Sequence, residues 1–265
     1  MTYEEYIKNP MGTHNAVFSA RDMYAKMYTD KWNALKLREA GFVGYTMYNA
    51  GSDYIIHFKI PSEVVEKFYY DVIIRFFHKK DEGSKDFSRT LSDYDVQFFS
   101  NDPSFTYTFA HAFKKNKLLF EDLEGRMSKL SLTRLAKEKN PKDQVGYVKS
   151  LYFAYLEMKS LDMFNKSRWS TARQYGGKKM WLHLVEHADD KIKARQNAAS
   201  AMSKKHKRTK QKEKKNQTLL QKVTHTFASP NISNFGHFKQ NKMQSPNIKG
   251  FGSISRLFKK FNNTK

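Results

Sequence analysis

The chain has 265 residues, with 48 Lys and Arg against 26 Asp and Glu, a formal charge of +22, and no cysteine. Its length allows one domain or two small ones, and the lack of cysteine removes disulfide frameworks, thiolate nucleophiles and thiolate zinc sites together. No run approaches the ~18 apolar residues that cross a bilayer, and Met1-Thr2-Tyr3-Glu4-Glu5 does not open like an export signal, so the expectation is a soluble, unexported chain.

In chain order, a polar lead-in is followed by Ser19-Ala20-Arg21-Asp22, which opens a helical pattern of Met23, Tyr24, Met27, Tyr28, Trp32, Leu35 and Leu37, with Gly41 as its stop. Phe42–Tyr48 and Tyr54–Ile60 read as two strands of a hairpin, joined by the five-residue loop Asn49-Ala50-Gly51-Ser52-Asp53. Phe68–Phe77 and Tyr94–Phe99 read as a third and a fourth strand on either side of a charged loop over 78–91. From Pro103 the period becomes helical, with Asp102 or Ser104 as the cap and Phe105, Phe109 and Phe113 on one face. Further helices are predicted over 119–139 and 143–162, divided at Asn140-Pro141. The fold class is therefore α+β: an N-terminal helix, a small antiparallel sheet, C-terminal helices and then an extended basic arm.

Charge divides the chain more sharply than pattern does. Residues 1–100 hold 13 Lys and Arg and 14 Asp and Glu, whereas residues 201–265 hold 16 and 1, so the tail carries +15 of the +22. Aromatic residues crowd the first 160 positions, as in Lys67-Phe68-Tyr69-Tyr70, and the core belongs there. The expected organisation is a globular domain over 1–165, a helical and increasingly basic extension over 166–222, and an extended arm over 223–265. Tyr175-Gly176-Gly177 is a hinge, and a polar helix runs from Lys178 to about Lys222, beginning with the apolar stripe Met180, Trp181, Leu184 and Val185.

Several strings resemble catalytic chemistry in residue type. His183-Leu184-Val185-Glu186-His187 has the H-x-x-E-H spacing of inverted zinc peptidases. The acids after it are Asp189 and Asp190, too near to serve as a third ligand, and Glu213, inside a lysine run, so ordinary helix histidines are the plainer reading. Asp143 with Glu157 and Lys159 has the residue types of a metal-dependent nuclease, but both parts fall in helical pattern where adjacent strands are needed. Asp93 and Asp95 read as loop caps, and Gly176-Gly177-Lys178-Lys179 lacks the spacing of a phosphate-binding loop. The expectation is a non-enzymatic protein without a cofactor or metal.

The binding signals lie in the tail. Lys204, Lys205, Lys207, Arg208, Lys210, Lys212, Lys214 and Lys215 form a basic run broken by one acid, Glu213, and by no aromatic residue. Its plain reading is a solvated tether; its functional reading is contact with the phosphate backbone of nucleic acid, because base stacking is not offered. Ser229-Pro230-Asn231-Ile232-Ser233-Asn234-Phe235-Gly236-His237-Phe238 recurs, with a period of 16 residues, as Ser245-Pro246-Asn247-Ile248-Lys249-Gly250-Phe251-Gly252-Ser253-Ile254. Two copies are too few and too short for a solenoid. They read as tandem docking peptides with Pro230, Ile232, Phe235 and Phe238, then Pro246, Ile248, Phe251 and Ile254, as anchors. A flexible spacer of that length averages roughly 22 Å and reaches at most about 55 Å, so the two receptor sites would lie close together, with a gain in avidity. Ile254, Leu257, Phe258 and Phe261 then form one side of a short basic amphipathic helix, which suits a partner groove at least as well as a membrane surface, because two turns bury little.

Asn9-Pro10-Met11-Gly12 through Gly41, and Tyr94 through Phe105, resemble in general character small virion structural proteins of tailed bacteriophages with AT-rich genomes. The resemblance implies a neck, head-tail connector or capsid-associated role, a symmetric homo-oligomer, and location in the virion, with assembly in the host cytoplasm. The implied partners are the chain itself and other virion proteins (portal, adaptor, capsid or tail), with packaged DNA touched by backbone charge and no membrane.

Overall fold

The computed structural model describes residues 1–8, 18–39, 43–78, 90–166 and 171–227. Contacts divide the chain into two units, Met1–Thr209 and Lys210–Lys265. The first unit is a mixed α+β body. Its strands are β1 (Tyr45–Ala50), β2 (Asp53–Pro61), β3 (Tyr69–Phe77), β4 (Asp95–Ser100) and the two-residue β5 (Arg173–Gln174), in the order β4-β3-β2-β1-β5. The four longer strands are antiparallel neighbours, as the sequence predicts, while β5 pairs parallel to β1 through Tyr48 and Asn49, so the sheet is mixed. A two-residue strand carries no period of its own, which is why pattern alone misses it.

The β1–β2 loop is shorter than predicted. Asn49 and Ala50 pair with Tyr54 and Asp53, leaving Gly51-Ser52 as the turn. Gly51 takes φ +71°, the left-handed conformation that a two-residue hairpin turn requires at its first central position.

Alternation along the strands gives the sheet two covered faces. On one, Ile56, Phe58, Val72, Ile74, Phe76 and Phe98 are fully buried beneath helices. Phe98 lies 5.0 Å from Tyr3, 4.9 Å from Tyr6 and 5.9 Å from Phe113, ring centre to ring centre. Tyr3 and Tyr6 belong to α1 (Tyr3–Lys8), a helix in the segment read as a polar lead-in. Its cap is reciprocal: Glu5 N–H donates to Thr2 Oγ1 at 3.2 Å and Thr2 N–H to Glu5 Oε2 at 2.7 Å. The predicted helix in the twenties and thirties is α2 (Phe18–Arg38), whose Trp32 stacks on Phe153 of α5 (Lys149–Ser160) at 5.1 Å.

On the opposite face, Trp181 packs edge-on against Tyr48, His57 and Phe120. This side also corrects the helix predicted over 119–139. Phe98 N–H bonds Leu118 O at 2.7 Å and Phe120 N–H bonds Phe98 O at 3.0 Å, so Leu118–Phe120 lies along the outer edge of β4 in extended form. Only a 3-10 turn (Glu121–Arg126) and the short α4 (Lys129–Thr133) follow. Closing a sheet edge outweighs helix propensity here, because bare strand edges are liabilities.

Asp102 caps the next helix, accepting from Ser104 N–H at 2.8 Å and Phe105 N–H at 3.0 Å. That helix opens as a π turn (Phe105–Phe109) and continues as α3 (Ala110–Lys115), burying Phe105 and Phe113. The helix predicted over 143–162 starts later, at Lys149. Asp143 is left-handed at φ +52°, Val148 is extended, and Asn140 holds Gln144 through its amide. The predicted helix from Lys178 is likewise interrupted, into α6 (Trp181–Leu184) and α7 (Ala188–Phe227), with Val185 extended between them at φ −124°, ψ 121°.

Candidate nucleic-acid interface

Helix α7 begins with Ala188 and Ile192 buried in the body and two acids, Asp189 and Asp190, in its first turn, where negative charge suits the helix dipole. Lys191 reaches Glu186 at 2.7 Å and lies 4.8 Å from the centre of the Phe68 ring. Beyond this anchored start the composition becomes polar, and Lys204, Lys205, Lys207, Arg208, Lys210, Lys212, Lys214 and Lys215 are all exposed on one continuous helix.

With 3.6 residues per turn, these eight cations occupy an arc of about 220°. Among the side chains described, the remaining sector holds Met202, Thr209, Glu213, Asn216 and Gln217. Lys204, Arg208 and Lys212 succeed one another at i, i+4 and i+8, as do Lys210 and Lys214 at i and i+4. Each like-charge neighbour of this kind destabilises a helix by about 0.2–0.5 kcal/mol, a cost that a bound polyanion removes. From Ala188 to Thr226 the helix contains no Phe, Tyr or Trp, so it offers charge and hydrogen bonds but no stacking platform.

The catalytic-looking strings are separated by the fold. His183 ends within α6 and His187 lies beyond the extended Val185, so the one-turn spacing of a shared helix does not arise. Asp143 bonds His111 at 2.8 Å and Lys115 at 3.2 Å; burial pushes its carboxyl up, but these two partners prevail and hold it below the usual carboxylate range. Glu157 is buried and paired with Lys36 at 2.9 Å, while Lys159 is exposed. Asp93 caps the Thr90 turn, accepting from Thr90 N–H at 2.9 Å, and Asp95 takes the N-terminal ammonium. Among the described residues no cluster of three or more His, Asp or Glu is arranged to hold a metal ion, and no helix is long and apolar enough to cross a membrane. The docking anchors Pro230, Ile232, Phe235, Phe238, Pro246, Ile248, Phe251, Ile254, Leu257, Phe258 and Phe261 lie outside the described residues.

Sequence reasoning missed the buried polar groups under Trp181. Asp71, 1% exposed, meets His57 Nε2 at 2.7 Å, the Lys59 ammonium, and the Asn101 amide at 2.8 Å. Burial pushes the Asp71 carboxyl up, but the hydrogen bond and charge of His57, with the charge of Lys59, prevail and hold it at about 2. Beside it, Arg75 bonds Asp53 at 2.6 Å and Gln97 at 3.2 Å and lies 5.7 Å from the centre of the Phe120 ring. Every one of these contacts joins residues of the body, so the cluster ties the strands of the sheet together.

Neither a protein-family model, nor a curated protein, nor a solved structure matches the chain.

Proposed function

We propose that the protein is a non-enzymatic structural protein that grips the phosphate backbone of nucleic acid with helix α7. The observation that carries this reading is the run of eight exposed cations on a single helix with no Phe, Tyr or Trp before its last residue, Phe227. The width of the arc refines it. A flat anionic surface meets roughly half of a helix's circumference, whereas the major groove of duplex DNA, about 12 Å wide, admits an α-helix between two phosphate strands. Cations spread over about 220° suit the groove better than the plane.

The test is fluorescence anisotropy of full-length protein with a labelled duplex across a salt series. Neutralising five or six phosphates gives a log–log slope of about −5. Replacing Lys204, Lys205, Arg208 and Lys212 together by Gln is expected to reduce that slope by about 3–4. A slope near zero, or one unmoved by the fourfold variant, defeats the reading.

A second part of the proposal concerns setting, and the repeated Ser-Pro-Asn-Ile peptides carry it. We place the protein in a virion, as a head-tail connector or capsid-associated subunit of a symmetric oligomer. In this setting the body joins neighbouring copies and the arm docks on them or on portal, adaptor, capsid or tail proteins. The resemblance to tailed-bacteriophage virion proteins supports this placement. Deleting residues 224–265 is expected to reduce the mass of the assembly in light scattering; an unchanged assembly removes the arm from the account.

A further inference from the structure

Among the described residues, three side-chain atoms are buried without a hydrogen-bond partner: Glu63 Oε1, Thr106 Oγ1 and Arg195 Nε. Buried polar atoms are almost always paired, so each such atom asks for an explanation. Two of the three converge. Glu63 and Arg195 both line one cavity of about 180 Å³, located where the end of β2, the start of α5 and helix α7 come together. That space is far larger than the roughly 10–15 Å³ a single water needs.

The two orphans differ in charge balance. Glu63 is neutralised, with the Lys149 ammonium on Oε2 and the Lys31 ammonium 3.7 Å from Oε1. Arg195 Nε has no hydrogen-bond partner among the described residues, and the nearby Asp102 is already occupied by two hydroxyls and two backbone N–H groups. A fitting ligand therefore brings an anionic acceptor for the guanidinium and one donor for Glu63 Oε1. The remaining walls include Ile60, Pro61, Val64 and Phe153, which ask for an apolar group.

A carboxylate, an N–H one carbon away and an apolar side chain on that carbon make up an apolar α-amino acid with a free carboxyl end. We propose that this cavity captures such a group: Arg195 takes the carboxylate, Glu63 Oε1 accepts the N–H, and the apolar walls hold the side chain. The same chemistry is offered by a free amino acid and by the last residue of a peptide. This site lies apart from the basic run of α7 and does not depend on nucleic-acid binding.

The test is calorimetric titration of full-length protein with leucine, N-acetyl-leucine, N-acetyl-leucinamide, N-acetyl-N-methyl-leucine and Gly-Gly-Gly-Leu. N-acetyl-leucine is expected to bind saturably, and the amide, which lacks the carboxylate, to bind about tenfold more weakly or worse. The N-methyl compound, which has no N–H, is expected to lose affinity too. Arg195→Gln should abolish the preference of acid over amide, and Arg195→Lys, with charge but no planar fork, should restore part of it. Tightest binding by leucine assigns the site to a free amino acid, and tightest binding by the tetrapeptide assigns it to a chain terminus. No saturable binding, equal binding of acid and amide, or an unaltered affinity in Arg195→Gln overturns the proposal and leaves the cavity to water.

Discussion

Within the body, Asp71, Asp102, Arg75 and Glu157 each meet fixed partners, whereas the basic run of α7 leaves eight cations facing water. The contrast follows from solvation. A charge taken into a protein interior is tolerable only when paired and hydrogen-bonded, so the body's charges are arranged by the needs of folding. On an exposed helix that constraint is lifted, and repulsion between neighbours accumulates unless something outside relieves it. Paired charge in the body thus reports on stability, whereas the solvated run on α7 is not explained by folding.

This contrast can be broken in three places. The largest effect is expected from Phe98→Ala, which empties the centre of the aromatic cluster formed with Tyr3, Tyr6 and Phe113. It should cost about 3–5 kcal/mol in a urea melt; a loss below about 1 kcal/mol would mean that the cluster collapses around the gap and does not hold the core together.

Next comes Asp71. Its folded value of about 2 lies below the ordinary 3.8, so its ionised form contributes stability that is complete above the ordinary value and is lost as pH falls towards 2. The difference is worth about 2 kcal/mol. Asp71→Asn should remove this acid-side dependence, measured as the denaturation midpoint between pH 5 and pH 2, and an unchanged profile would show that another carboxylate governs it.

The smallest effect on folding is expected from the fourfold Gln variant in α7. The thermal unfolding of the body should shift by no more than about 0.5 kcal/mol, even as duplex affinity falls steeply. A large shift would place these cations in the body's own energetics and erase the distinction between the two regions.

How far the fold can be read from sequence depends on how local its signals are. The four main strands and α2 announce themselves through period and turn residues, and the Phe105, Phe109, Phe113 pattern marks a helix that is present. Leu118–Phe120 misleads because its partner, Phe98, is distant in sequence, and pattern reads only neighbours. The capping signature Thr2-x-x-Glu5 was visible, but α1 is a single short element without an apolar run to follow it. The His57–Asp71 pair becomes legible only after the hairpin register is known, since the register setting Lys59 opposite Asp71 brings His57 to the same face. The basic run, by contrast, needs no register, and its exposure follows directly from composition. Nothing in the sequence marks Arg195 and Glu63 as cavity neighbours, because three separate elements bring them together.

One further consequence comes from the tyrosine hydroxyls of α1. Tyr3 O–H donates to Leu151 O at 2.5 Å and Tyr6 O–H to Gly146 O at 2.9 Å, while Tyr147 O–H returns a bond to Ile7 O at 2.8 Å. The first residues of the body are thus latched to residues some 140 positions later. Contacts of that separation are slow to form, because the intervening chain must be brought together before they give anything back. During synthesis, at about 5–20 residues per second, α1 waits roughly 7–30 s for its partner to be made. Until then the Tyr3 and Tyr6 hydroxyls lack these acceptors, and the nascent chain spends that interval without the latch that closes its core.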